Sequence, residues 1–209
     1  ILSKGHACVA VYSVLAEIGF ISYESLTTYG QDDSWLMNHI SHKVDGVEFS
    51  TGALGHGLSF GVGKALSSRL LHKKWRTFVL LSDGEMDEGS NWEALMFAAH
   101  HKLGNLTAVI DYNKLQSLDS TYATLNLEPL ADKLIAFGCT VVQVNGHDHN
   151  ELASALGSFD REKPTVVIAN TIKGKGVSFM EDQVAWHYKS PNVDELKLAI
   201  SEVENSHAK

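Results

Sequence analysis

Cysteine is scarce in this sequence. Cys8 and Cys139 are the only two, far apart in the chain and in no CxxC arrangement. That leaves neither a disulfide framework nor a zinc signature, as suits a reducing cytoplasm. Proline is also rare, with 3 residues, and no Ser/Gly/Pro-rich stretch or internal repeat marks a linker, so no interior domain boundary is expected. Apolar runs are a handful of residues long, far short of the roughly 18 to 20 that cross a bilayer, and a soluble chain with no membrane partner is expected. Positive charge is thin: 17 Lys and Arg stand against 25 Asp and Glu, a net charge of −8, and Lys73-Lys74 is the longest basic run. A phosphate-backbone binder needs clustered cations, so no nucleic-acid partner is expected. The opening Ile1-Leu2-Ser3-Lys4-Gly5-His6 has no initiator Met, basic n-region or transit-peptide composition. It reads as a chain whose natural N-terminal segment is missing.

What the 209 residues do contain is apolar material, 44% by count, enough for one substantial core. Cys8 to Ile18 and Leu58 to Leu71 carry it at helical spacing. Thr77 to Leu81 is a short unbroken apolar run closed by Ser82-Asp83-Gly84, which predicts a strand buried on both faces. Asn91 to Leu103 predicts a helix with Trp92, Leu95, Met96, Ala99 and Leu103 on one face, and Leu106 to Ile110 a second buried strand. Then come helix over Glu128 to Phe137, strand over Thr140 to Val144, helix over His149 to Phe159, strand over Thr165 to Ala169, and a solvated helix from about Asp194. Strand and helix alternating at this spacing mean crossover connections. The expected fold class is α/β, a doubly wound parallel sheet with helices on both faces, in one domain over 1–209.

In such a sheet all strand C-termini fall on one edge, where ligands bind. Asp83 follows the first strand and Asn113 follows the second, one crossover unit later. If those strands are close neighbours, a carboxylate and an amide oxygen converge, and hard oxygen ligands with room for waters and phosphate are what Mg²⁺ prefers. An alternative stays open: Asp83 caps the following segment and Asn113 makes an Asx-turn.

Four motifs then become recognisable. Ser82-Asp83-Gly84-Glu85-Met86-Asp87-Glu88, followed about 30 residues on by Asp111-Tyr112-Asn113, resembles the thiamine diphosphate signature. Leu2-Ser3-Lys4-Gly5-His6, Ser50-Thr51-Gly52-Ala53-Leu54-Gly55-His56-Gly57 and Asp87-Glu88-Gly89-Ser90-Asn91-Trp92-Glu93-Ala94 look like the transketolase branch of that family. Nearly the whole chain is covered, in order, and it resembles the diphosphate-binding, N-terminal subunit of a split transketolase. The resemblance implies that Asp83, Asn113 and the carbonyl of Leu115 hold Mg²⁺ (or Ca²⁺ or Mn²⁺). It implies that Gly52, Ala53, Leu54 and Gly84, with His6, Asn113 and His187, bind thiamine diphosphate, the backbone approaching closely at glycine. The glycine-rich lead into a helix near Gly57 suits phosphate as well. His6, His39 and His187 correspond to family histidines that touch cofactor or sugar. Glu88 matches an acidic residue at the contact between subunits, though the Glu85, Asp87 and Glu88 cluster also reads as a solvated turn.

The chain departs from the family pattern in places. Ser82 replaces the first glycine of GDG, Tyr188 follows His187 where glycine is common, and His39-Ile40 stands for His-Pro, with His42 a rival for the role of His39. His100 and His101 read as structural, as does His147-Asp148-His149, where Asp148 or Asn150 can cap a helix. The implied activity is transfer of a two-carbon ketol unit from a ketose to an aldose, with the three histidines moving protons. In the family the glutamate that activates the cofactor comes from a pyrimidine-binding domain for which this chain has no room. A partner C-terminal subunit carrying that Glu is therefore expected, in a heterotetramer acting on sugars or sugar phosphates. Other readings are a 1-deoxyxylulose-phosphate synthase or acyloin synthase of the same branch, and a non-catalytic cofactor-binding protein. An NAD-type dehydrogenase is the last, because Gly55 to Gly61 loosely imitates a dinucleotide loop.

Overall fold

The computed structural model describes residues 1–207. Its frame is one four-stranded sheet of β1 (Thr77–Ser82), β2 (Leu106–Tyr112), β3 (Thr140–Asn145) and β4 (Thr165–Asn170), ordered β1-β2-β4-β3 with every neighbouring pair parallel. Around it lie α1 (Cys8–Glu17), α2 (Tyr23–Leu26), α3 (Gly57–Leu70), α4 (Gly89–His100), α5 (Thr121–Thr124), α6 (Leu130–Ala136), α7 (His149–Gly157) and α8 (Val193–His207). Alternation along the strands sends Val79, Leu81, Ala108, Ile110, Val166 and Ile168 to one face, into a buried cluster with Leu58, Leu95 and Leu134 from α3, α4 and α6. The opposite face carries Val142, Val144, Val167 and Ala169 beneath Leu152 and Ala155 of α7. Helices thus cover both faces, as the alternating pattern requires.

A separate apolar cluster of Cys8, Tyr12, Leu15, Leu36, Ile40 and Val44 joins α1 to the segment before α3. The chain start runs along the outer edge of β1: Leu80 N–H donates to the Ile1 carbonyl (2.9 Å) and Ser3 N–H to the Leu80 carbonyl (2.8 Å). This pairing carries Lys4 and His6 to the C-terminal rim of the sheet. Among the described residues no helix is long and apolar enough to cross a membrane.

Four details differ from the periodicity. β1 is buried on one face only, since Phe78 and Leu80 keep 39% and 36% exposure; it is a sheet edge, and α7 stands over β3 and β4 instead. On α4 the buried face is Asn91, Ala94, Leu95 and Ala98, so Met96 points to solvent and Trp92 is half-buried. That helix stops at His100 because Lys102 turns left-handed (φ 51°), and Leu103 packs from beyond its end. α6 begins only at Leu130, after Pro129, because the residue before a proline is driven out of the helical region.

Candidate active site

β1 and β2 are direct neighbours, with Ser82 paired to Asp111, so Asp83 and Asn113 leave the sheet side by side. Asp83 is 1% exposed. Its Oδ1 accepts from Gly84 N–H (2.7 Å) and its Oδ2 from Lys114 N–H (2.6 Å), which presses the carboxylate against the turn after Asn113. Asn113 Oδ1 accepts from Leu115 N–H (2.9 Å), and Lys114 takes a left-handed φ of 65° to make the bend. Both local roles, cap and Asx-turn, are therefore present. They consume only part of the acceptor capacity, because each of these oxygens has a second lone pair.

The Leu115 carbonyl accepts no hydrogen bond among the described residues. Carboxylate, amide and carbonyl oxygens are the donor set that a hard divalent cation takes. Among the described residues no group of three or more His, Cys, Asp or Glu could hold a metal, so a metal here would rest on this mixed set. Burial pushes the Asp83 carboxyl up to about 6, against the two backbone N–H groups that favour its charge. A cation beside it would favour the ionised form.

Three histidines meet near this rim. The His6 and His187 ring centroids are 5.4 Å apart. A Cβ on Gly52 would lie 3.3 Å from His39 Cδ2, so the bare glycine lets the His39 ring close on the Gly52–Leu54 turn. His42 turns away: its Nδ1 and its backbone N–H both meet Ser50 Oγ, at 2.6 and 2.9 Å. Burial lowers His6 to about 4, helped by Lys4, His187, His39 and Lys173. His187 is lowered too, by burial and then by Lys173 and Lys4. Gly84 lies under Gln116, whose Cγ would be 3.1 Å from an added Cβ. Ser82 ends β1 and is absent from the residues of positive φ, so a serine fits where the family has glycine. Glu88 is exposed at the start of α4.

Several groups of the rim are not among the residues picked out from the sequence. Lys4 Nζ bonds Asp111 Oδ2 at 2.5 Å, and Thr171 Oγ1 donates to Asp111 Oδ1 at 2.5 Å. Lys173 follows β4 and lies 3.4 Å from His187 Nδ1. Its ammonium is lowered by burial first and by Lys4 next. A cleft of about 700 Å³ opens there, lined by Lys4, Asp111, Asn113, Thr171 and Lys173 among others.

A family model described as "Transketolase, thiamine diphosphate binding domain" matches residues 1–203. The chain belongs to the transketolase family. It is 45% identical to one of the subunits of apulose-4-phosphate transketolase from Actinobacillus succinogenes, over 98% of this chain and 75% of that protein. It is 39% identical to the SqwG subunit of 6-deoxy-6-sulfo-D-fructose transketolase from a Clostridium species, over 100% of this chain and 77% of that one. In three dimensions it matches the transketolase of Pichia stipitis in complex with sedoheptulose-7-phosphate, with a TM-score of 0.92 and 30% identity over 98% of this chain. It spans only 32% of that solved chain, so this transketolase domain answers to one part of a larger enzyme.

Membership removes the dehydrogenase reading, and the geometry agrees: no strand among the described residues leads into Gly55–Gly61, and α3 simply starts at Gly57. Lys4 and Asp111 sit inside motifs quoted above and could have been singled out from them. Lys173 had a weaker signal, a cation one short turn beyond a buried strand.

Proposed function

We propose that this chain is the cofactor-binding subunit of a two-chain transketolase that moves a two-carbon ketol unit from a ketose to an aldose. The observation that carries the reading is the buried Asp83 carboxylate lying on the Asn113–Leu115 turn, with His6 and His187 in ring contact beside Lys4 on the adjoining segment. Asp83, Asn113 and the Leu115 carbonyl would hold Mg²⁺, with Ca²⁺ or Mn²⁺ as substitutes, and Gly52, Ala53, Leu54 and Gly84 would receive the cofactor. When bound, thiamine diphosphate supplies the electron sink for breaking and making a carbon–carbon bond beside a carbonyl.

The protein's own part is positioning and proton movement. With its proton affinity lowered to about 4, His6 is neutral at physiological pH, so a ring nitrogen is free to accept a proton from a substrate hydroxyl. His187 and His39 would donate and accept at neighbouring oxygens. Each such transfer is worth about 10²- to 10⁴-fold, or roughly 3 to 5 kcal/mol of barrier. Lys4 and Lys173 keep cationic charge beside the imidazoles and so oppose their protonation. Asp111 anchors Lys4 in that place.

Catalysis would be completed by a partner chain carrying the pyrimidine-binding domain and its glutamate, in a heterotetramer with two copies of each. Glu88, exposed ahead of α4, would meet that partner. Relatives whose names call them transketolase subunits support a divided enzyme. Sugars or sugar phosphates are the substrate class.

The test is reconstitution. The chain and its partner are titrated together with thiamine diphosphate and Mg²⁺, with NAD as control, and assayed for ketol transfer among ketoses and aldoses. Saturable binding of thiamine diphosphate and activity only with both chains are expected. Full activity of this chain alone, or binding of NAD instead, would reject the reading.

A further inference from the structure

Glu85 is 0% exposed and is not one of the groups assigned to cofactor or substrate above. Its carboxylate reaches three segments at once, two loops and the end of β1. Oε1 accepts from Ser3 Oγ (2.5 Å) and Gly55 N–H (2.9 Å), and Oε2 from Ser82 N–H (3.4 Å). Ser3 belongs to the segment that carries Lys4 and His6, Gly55 closes the Gly52–Leu54 turn, and Ser82 leads into Asp83. Glu85 is itself fixed, since its N–H donates to Ser82 Oγ (3.2 Å) and its carbonyl accepts from Asn91 Nδ2 (2.7 Å).

The loops it joins touch with no slack. Gly55 has φ 81°, its carbonyl accepts from Ser90 Oγ (2.7 Å), and a Cβ there would stand 2.7 Å from Glu88 Cβ. A Cβ on Gly57 would stand 2.4 Å from Ser3 Oγ. Burying a carboxylate is costly, and well-packed apolar groups often hold a core together equally well. A carboxyl group kept in this position is better explained by orientation than by stability.

We propose that Glu85 is the positioning residue of the cofactor cradle: it locks the His6 segment, the Gly52–Leu54 turn and the Asp83 turn into one unit, and thereby sets the affinity for Mg²⁺–thiamine diphosphate. The inference rests on the cofactor reading above.

Calorimetric titration of the two-chain complex with Mg²⁺–thiamine diphosphate tests it. Glu85→Ala is expected to weaken binding about 30-fold or more, and Glu85→Gln, whose amide oxygen still accepts from Ser3 and Gly55, to return within about fivefold of wild type. Leu134→Ala, a cavity in the distant core, serves as the stability control and is expected to keep affinity within about twofold. Binding by Glu85→Ala within about threefold of wild type, or an equal loss in Leu134→Ala, overturns the proposal. If Glu85→Ala does not fold, Ser3→Ala decides, with about fivefold weaker binding expected and unchanged binding overturning the proposal. A wild-type complex that binds no thiamine diphosphate instead sinks the proposed function, and this inference with it.

Discussion

Along β2 the way the molecule is held together changes within a few residues. Ala108 and Ile110 are buried in the apolar cluster beneath α3, α4 and α6. From Asp111 onward, apart from the Tyr112 ring, which still packs into that cluster, what is fixed is polar: Asp111 to Lys4 and Thr171, and Asp83 to Gly84 and Lys114. The first region is held by non-directional burial, which tolerates other apolar side chains of similar volume. The second is held by single hydrogen bonds, each dependent on one donor and one acceptor, and tolerates little. Apolar burial and the proposed site therefore occupy opposite ends of the same strands, and substitutions at the two ends should separate stability from activity.

The sharpest break is Asp83→Ala. It removes the only carboxylate in the proposed metal set and leaves the apolar cluster intact. Ketol transfer by the reconstituted enzyme is expected to fall at least about 10³-fold, with Mg²⁺–thiamine diphosphate binding lost in calorimetry and the unfolding transition still cooperative. His6→Ala follows, at about 10²-fold or more in kcat with cofactor affinity changed far less. Equal losses in both quantities would mean that His6 binds rather than moves a proton.

At the other end of the strands, Leu134→Ala should lower stability by about 2 to 5 kcal/mol in urea unfolding and leave kcat unchanged at a temperature where the protein is folded. A matching loss of kcat would show that the two ends are coupled after all.

Much of this layout can be read from residue types. The apolar runs of β2 and β4 and the periodicity of α3 are local signals, and the spacing from Asp83 to Asn113 locates the rim once the strands are known to be adjacent. Asp148 capping α7 was legible for the same reason, being a short-range preference. Other features were not legible because they join distant parts of the chain. Lys4 and Asp111 are 107 residues apart, and nothing local in either announces the pair. That the His39 ring, and not the His42 ring, lies against Gly52 depends on that turn folding back on the His39 segment. The exposed side of β1 and of Met96 depends on where α7 stands and where α4 ends, which composition does not encode.

Protonation gives a smaller test of the rim. The folded pKa of Asp83 is raised to about 6 from 3.8, so between those values the folded chain holds the proton more firmly. That contribution is fully present below about pH 4 and is lost as pH rises through 6, at most about 3 kcal/mol. His6 acts in the opposite direction. Its folded pKa of about 4 lies below 6.5, so its contribution is present above 6.5 and is lost as pH falls toward 4. In the metal-free chain the two oppose each other. His6→Gln should unmask the Asp83 term as stability that rises when pH drops from 6 to 4, measured by urea unfolding at a series of pH values. Added Mg²⁺ and thiamine diphosphate should remove that rise, because bound cation keeps Asp83 ionised in the folded state.

The smallest expected effect is the most demanding check on the separation of the two regions. Asp148 Oδ1 accepts from Asn150 N–H (2.8 Å) and Glu151 N–H (3.1 Å) at the start of α7, over the β3–β4 side of the sheet. Asp148→Ala should cost about 1 kcal/mol, the usual worth of such a cap. Its neighbour His147 accepts from Ile172 N–H (2.8 Å), one residue before Lys173, so a slackened helix start has a short route to the rim. If directional bonds confine disturbance to their own partners, urea unfolding registers the loss and cofactor affinity stays within about twofold. A tenfold weaker cofactor affinity in Asp148→Ala would mean that the rim draws its rigidity from α7 as well, and that the boundary lies further along the strands than Asp111 suggests.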